Sequence, residues 1–309
     1  MKKFKDIHQV RFKLDLKNNS NMSHKPHNPY SLENIEEKTI IQSFKTKFNF
    51  LNSHKGLQRG HLHMLLGRTN KGKSALIQSL ATENIINNYK TLLFLSEGEK
   101  GDVKRRINSI LSLRYKDTES KIEVMKNLIL IDESDLDVTK VHDPQSWLGS
   151  LFKFIKDFNI QIAYIDNFST CSFADSTPEI QAQFVKNLCQ KIQNYQIPLL
   201  GAVHQSKSVL PNKELDIEDI RANSAFMNSP SFIYALNNFS NLDQELRIIK
   251  ILKSRIDGKI IGNSYKLSFK TTKTDGFYNK DEKVENFWVK NLFFSNNSKT
   301  FAKKVPISR

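Results

Sequence analysis

Gly67-Arg68-Thr69-Asn70-Lys71-Gly72-Lys73-Ser74 reads G-x-x-x-x-G-K-S, and the apolar run Leu62 to Leu66 leads directly into it. This is the pattern of a phosphate-binding P-loop. Its flanks supply the context such a loop needs, a strand-like segment before it (LHMLL) and a helical one after it (SALIQSLATENIINN). Glycine at 67 and 72 permits backbone angles that other residues resist, so successive N–H groups can turn inward around a phosphate. The following helix adds the partial positive charge of its N-terminus. Lys73 is placed to reach the β- and γ-phosphates and the Ser74 hydroxyl to hold Mg²⁺. Arg68, Thr69, Asn70, Lys71 and Ala75 complete the nucleotide-binding cradle.

Outward from the loop, strand-like and helical segments alternate. TLLFLS (Thr91 to Ser96) and NLILID (Asn127 to Asp132) are continuous apolar runs suited to strands buried on both faces. GEKGDVKRRINSILSL reads as a helix between them. Pro144 to Phe158 places Trp147, Leu151, Phe152 and Ile155 on one helical face. IQIAYID (Ile160 to Asp166) is a strand ending in an acid, Pro178 to Asn194 is helical, and IPLLGAV (Ile197 to Val203) is again a strand. The alternation predicts an α/β fold with a mostly parallel, doubly wound sheet. From Phe232 onward the pattern turns to strands alone (SFIYALNN, LRIIKILKSR, SYKLSFK), with IDGKIIGN as a hairpin turn, so an antiparallel C-terminal region is expected. Residues 1–38 read as a basic flexible arm, with alternating residues from Phe4 to Leu16 that suit a strand. The domain is expected over 39–272, with a basic tail at 273–309.

The 309 residues carry a net charge of +15. Residues 1–55 hold +6 of it and residues 270–309 hold +5, leaving +4 for the core. Basic flanks suit arms that touch polyanions, and equally suit a lysine-rich solvated surface. No apolar run has the length of a membrane span, and the basic N-terminus lacks the apolar stretch of a signal peptide. Cys171 and Cys189 form neither a metal spacing nor a disulfide framework, which suits a cytoplasmic setting.

In open α/β sheets, ligands sit at the carboxyl ends of the strands, so the residues after each strand are candidates. Asp166 is the expected Walker B acid, contacting Mg²⁺ directly or through water, with Asp132 the competing strand-end acid. Glu97, after TLLFLS, is placed to polarise an attacking water, whereas Glu99 suits a helix N-terminal acid.

GLQRGHLHMLLGRTNKGKSALIQSLA resembles the opening of RecA-fold ATPases of the hexameric replicative helicase type, including DnaB and the RepA-type plasmid and phage helicases. Further matches follow in order: LLFLSE with KRRI, AYIDNFST, AVHQSK, RANSAFMNSPSFIYAL and LKSRIDGKIIGNSYKLSF. Together they cover about residues 45–272. The resemblance implies a RecA-like P-loop NTPase that binds ATP and Mg²⁺, with Glu97 as catalytic base and Arg106 beside the nucleotide. It implies Gln205 as the polar sensor at the end of its strand, and Lys253 and Arg255 acting on the neighbouring subunit's nucleotide, Arg255 as arginine finger. Ala222 stands where the family has glycine. The implied partners are single-stranded DNA, further copies in a homo-oligomeric ring (a hexamer in the family), and a replication initiator or primase.

Two loops of such rings face the central channel, by position Phe168 to Glu179 and Ser206 to Asn223. Ser169, Thr170, Lys207 and Lys213 are their candidate phosphate contacts, although the second loop also carries Glu214, Asp216, Glu218 and Asp219. The expected function is an ATP-dependent DNA helicase or translocase in replication. The alternative is a RecA-fold loader or regulator that uses ATP as a switch without unwinding.

Overall fold

The computed structural model describes residues 43–136, 143–206, 209–210, 213–221, 224–241, 244–271 and 276–284. The expected arm at 1–38 with its Phe4 to Leu16 segment, Lys207, Ala222 and residues 285–309 lie outside the described residues.

The central element is a nine-stranded sheet. Its strands are β3 (Leu62–Gly67), β4 (Thr91–Leu95), β5 (Leu128–Asp132), β6 (Ile162–Asp166), β7 (Leu199–His204), β8 (Phe232–Asn241), β9 (Gln244–Ser254), β10 (Ser264–Thr271) and β11 (Gly276–Val284). Their spatial order is β11-β10-β9-β8-β3-β7-β6-β4-β5. The strands from β5 to β8 in that order are parallel, and β9, β10 and β11 are antiparallel. A separate antiparallel pair, β1 (Ser43–Phe44) and β2 (Leu57–Gln58), precedes it. The chain is therefore α/β with a large, mostly parallel sheet, as the alternation of segments predicts.

Helices cover the sheet: α1 (Asn49–Asn52), α2 (Lys73–Ile86), α3 (Lys100–Leu111), α4 (Thr118–Met125), α5 (Pro144–Asp157), α6 (Pro178–Tyr195) and α7 (Ala225–Asn228). Side chains of a strand point alternately to its two faces, and β3 divides accordingly. Leu62, Met64 and Leu66 enter one core with residues of α5 and α6, where Trp147 meets Phe94, Phe173 and Phe184 edge-on. Leu65 enters the other core, with Leu76, Ile77 and Leu80 of α2 and Val103 and Ile107 of α3. Burial on both faces is why these strands read as unbroken apolar runs.

One sequence expectation needs correction. The domain does not end at 272: β11 adds an edge strand, paired with β10 along its length. Its Asp281 carboxylate accepts the N–H groups of Asn49 and Phe50 at 2.5 and 2.8 Å, satisfying two donors at the start of α1. The β9–β10 connection falls at the expected hairpin, IDGKIIGN, and contains a short 3-10 turn at Gly258–Ile260. Helix α4 was not expected; it is capped by the Asp117 carboxylate, which accepts the Ser120 N–H at 2.7 Å.

Candidate functional site

The loop between β3 and α2 has the backbone its sequence requires. Asn70 and Gly72 both adopt positive φ, 57° and 94°. At Gly72, the N-cap of α2, a side chain would be strained and would also run into the Tyr278 hydroxyl from β11. A Cβ on Gly67 would lie 2.9 Å from Lys73 Cγ, so glycine there lets the lysine pass close to the strand end.

Lys73 Nζ donates to the carbonyls of Gly67 (3.0 Å) and Arg68 (2.9 Å) and lies 3.2 Å from His204 Nδ1. An ammonium group has three protons and no acceptor capacity, so these three acceptors account for all of them. His204 Nδ1 faces the ammonium, and Asn167 Nδ2 lies 3.1 Å from the ring's other nitrogen, Nε2. That nitrogen lies 3.8 Å from Glu97 Oε1. Burial lowers the Lys73 pKa to about 8, against the opposing charges of Asp166 and Glu97. Burial, with the charges of Lys73 and Arg221, lowers that of His204 to about 4. His204 is therefore neutral at pH 7.

Asp166 ends β6, one strand away from β3 across β7. It is 4% exposed, and burial raises its pKa to about 6, with Ser74, Lys73 and Arg106 opposing the shift and Glu97 adding to it. The Ser74 side chain is placed beside the Asp166 carboxylate. Asp166 Oδ1 is buried without a hydrogen-bond partner among the described residues. Next to it, Asn167 Nδ2 donates to Glu97 Oε1 at 2.7 Å and so fixes a carboxylate that is half exposed. Arg106 on α3 donates to Gln78 of α2 at 2.7 Å.

The structure thus brings Lys73, Ser74, Glu97, Asp166 and Arg106 to one place, at the carboxyl ends of β3, β4 and β6. Asp132 is elsewhere. It caps the turn after β5 and pairs with Lys100 at 3.0 Å. Two residues in the cluster, His204 and Asn167, were legible from the sequence only as strand-end polar groups without an assigned role. Their signal was position, since each directly follows an apolar strand run. Gln205, the expected sensor, is turned away by the alternation of side chains along the extended chain. Its backbone bridges Ile220, and its side-chain oxygen is buried without a partner among the described residues.

Thr69 Oγ1 lies 3.3 Å from His204 Nδ1, and Lys71 is exposed. Ala75 packs half-buried beside the α2 core. Ser169 Oγ accepts the His204 N–H at 2.9 Å, and Thr170 Oγ1 bonds Ser96 Oγ, so both hydroxyls already serve the strand ends. Lys213 pairs with Asp219 at 2.9 Å.

Lys253 and Arg255 lie at the other end of the sheet. β9 runs antiparallel to β8, so Ser254 pairs with Phe232, which sits beside His63 at the start of β3. Gly67 is at the far end of that strand, roughly 13 Å away at the usual rise per residue. Lys253 donates to the carbonyls of Met227 and Asn228 at 2.9 and 2.7 Å, and Arg255 also donates to Asn228 O, closing the C-terminus of α7.

No protein-family model matches the chain, and none of the curated proteins matches it. Among the described residues no helix is long and apolar enough to cross a membrane.

Proposed function

We propose that the protein is a RecA-fold, Mg²⁺-dependent ATPase that works as a ring on single-stranded DNA, as a helicase or translocase. The observation that carries the ATPase reading is the convergence of Lys73, Ser74, Asp166 and Glu97 at adjacent strand ends around a P-loop.

The residues fit a nucleotide with Mg²⁺. Gly67 and Gly72 leave room that a Cβ would fill, and Asp166 presents a buried oxygen that no protein donor satisfies among the described residues. Among the described residues no group of three or more His, Cys, Asp or Glu converges. Mg²⁺ is commonly held by one or two carboxylates together with substrate phosphates. Ser74 and Asp166 would hold it, and when bound it neutralises phosphate charge. Lys73 adds a second positive charge, directed at the phosphates once it leaves the loop's own carbonyls. Glu97 accepts the proton of the attacking water, and Asn167 holds the carboxylate oriented for that task.

The position of Lys253 and Arg255 supports a shared site. Neither can reach the P-loop of its own chain, so any role in hydrolysis requires a second subunit. The decisive first test is ATP hydrolysis by the wild type and Glu97→Gln. The variant should lose 10²- to 10⁴-fold in rate, about the usual contribution of a general base, while still binding ATP. Unchanged turnover removes Glu97 from the mechanism.

The second reading is a loader or regulator that uses ATP as a switch. It is favoured by the second loop, where Lys213 is neutralised by Asp219 and so offers DNA less free positive charge. Strand displacement on forked DNA separates the two. Hydrolysis without displacement selects the switch.

A further inference from the structure

We infer that Arg68 is a positioning residue that ties the phosphate loop to the segment after β7, so that nucleotide binding and the conformation of that segment are coupled. The inference rests on the ATPase reading above and adds a physical route from the nucleotide to the loop that carries Lys213.

Arg68 occupies the first variable position of G-x-x-x-x-G-K-S, where the cradle asks only for a backbone N–H. Its side chain leaves the cradle. Nη2 donates to Leu210 O at 2.9 Å and Lys213 O at 2.6 Å. Nε is buried without a partner among the described residues, and burial lowers the guanidinium pKa against the opposing charge of Asp219. Asp219 organises the same segment from inside. Its carboxylate accepts from Lys213 Nζ at 2.9 Å and its carbonyl accepts the Ser206 N–H at 2.7 Å. Leu210 is 71% exposed, so burial of its side chain does not hold this part of the chain in place. Arg68 does.

The same residue is held from the other side, because its carbonyl accepts from Lys73 Nζ at 2.9 Å. A phosphate in the loop competes for that ammonium. When Lys73 turns to the phosphate, the Arg68 peptide loses a charge-assisted hydrogen bond and becomes free to adjust. Its guanidinium transmits the adjustment to Leu210 and Lys213. His204 links the two regions as well, through Lys73 and Thr69. The His204 carbonyl accepts the Arg221 N–H at 2.9 Å at the far end of the segment, and Arg68 bonds its nearer part, where the candidate DNA contact Lys213 lies. Coupling of this kind is reciprocal, so occupancy of the segment by a ligand alters nucleotide affinity by the same factor.

The test uses full-length wild type, Arg68→Ala and Arg68→Lys with ADP and a slowly hydrolysed ATP analogue. Amide hydrogen exchange of peptides covering 213–221 should change about tenfold on analogue binding in the wild type, within the usual range of coupling. Compared at saturating analogue, Arg68→Ala should show no such change. Arg68→Lys, which keeps a charged donor, should retain part of it, and it decides the matter if the alanine variant does not fold. An unchanged response in Arg68→Ala overturns the inference, as does a wild type whose 213–221 exchange ignores the analogue. Loss of analogue binding in a folded Arg68→Ala chain also overturns it, by making Arg68 a nucleotide contact.

A second arm measures single-stranded DNA affinity in the ADP and analogue states. The ratio of the two should be about tenfold in the wild type and near one in Arg68→Ala. If the exchange result holds but neither state binds DNA, the DNA reading falls and the coupling stands. If the wild type does not bind the analogue, the ATPase reading and the inference fall together.

Discussion

At Asp166 the needs of binding and of stability oppose each other. The carboxylate is buried, and one of its oxygens has no protein donor among the described residues. Its pKa is raised from 3.8 to about 6. A folded-state pKa above the unfolded one means that the folded chain binds the proton more tightly. The group's contribution to stability is therefore fully present below pH 3.8 and lost as pH rises through about 6. At pH 7 the ionised carboxylate costs on the order of 3 kcal/mol, since each tenfold change in proton affinity is worth about 1.4 kcal/mol. Asp166→Asn keeps the shape and removes the charge. Thermal or urea unfolding without nucleotide should show it more stable than wild type at pH 7.5, with the gain shrinking towards pH 4. The same variant should hydrolyse ATP poorly. A variant that is less stable at pH 7.5 would show that Ser74, Lys73 and Arg106 already offset the burial of Asp166.

At the scale of elements, the edge strand β11 does more than extend the sheet. Tyr278 is fully buried, its N–H donates to Ser79 Oγ of α2 at 3.0 Å, and its hydroxyl abuts Gly72 at the mouth of the P-loop. Asp281 closes the start of α1. A chain ending at residue 272 loses these contacts and should melt well below the full-length chain, with weaker ATP binding. Equal melting temperatures would make β11 dispensable. The parallel part of the sheet was legible because unbroken apolar runs and strand-end acids are local patterns. β11 was not, since GFYNKDEKV is dominated by charged and polar residues after its first three, and only pairing with β10 and burial of Phe277 and Tyr278 make it a strand. The placement of Gln205 was not legible for a related reason. Motif order identifies the strand end, but strand register decides which of two adjacent polar residues faces the site. A third packing feature was also hidden in the sequence. His54 and His63 stack on Phe232, at 4.3 and 4.5 Å, and both bond the Tyr234 hydroxyl, at 2.6 and 3.0 Å. Burial lowers His54 to about 4 and His63 well below its usual value. Between about pH 6.5 and 4 the unfolded chain takes up protons that the folded chain refuses, so stability falls as pH falls through that window. His54 alone accounts for on the order of 3 kcal/mol, the opposite sign to Asp166 below pH 6. Unfolding free energies of wild type and His54→Gln, compared at pH 7.5 and 5, should converge as pH drops.

At the scale of the whole molecule, the sheet separates two sets of charged side chains. Lys73, Asp166 and Glu97 gather at the carboxyl edge of the parallel strands, and Lys253 and Arg255 stand at the amino edge. Within one chain the second set closes α7 and has no access to the first. Head-to-tail assembly is the arrangement that lets one subunit's amino edge meet the next subunit's P-loop, and a rotation that closes makes a ring. Subunit mixing tests this directly. Lys73→Ala removes the phosphate contact from one face, and Arg255→Ala removes the arginine from the other, so each variant alone should be inactive. Mixed in equal amounts and allowed to exchange, about a quarter of the interfaces pair an intact P-loop with an intact arginine, by random head-to-tail assembly. ATPase activity should recover to roughly that fraction of the wild type. No recovery, in a mixture shown to exchange subunits, would mean that Arg255 serves its own chain by holding Asn228. Full activity of Arg255→Ala alone would remove it from hydrolysis altogether.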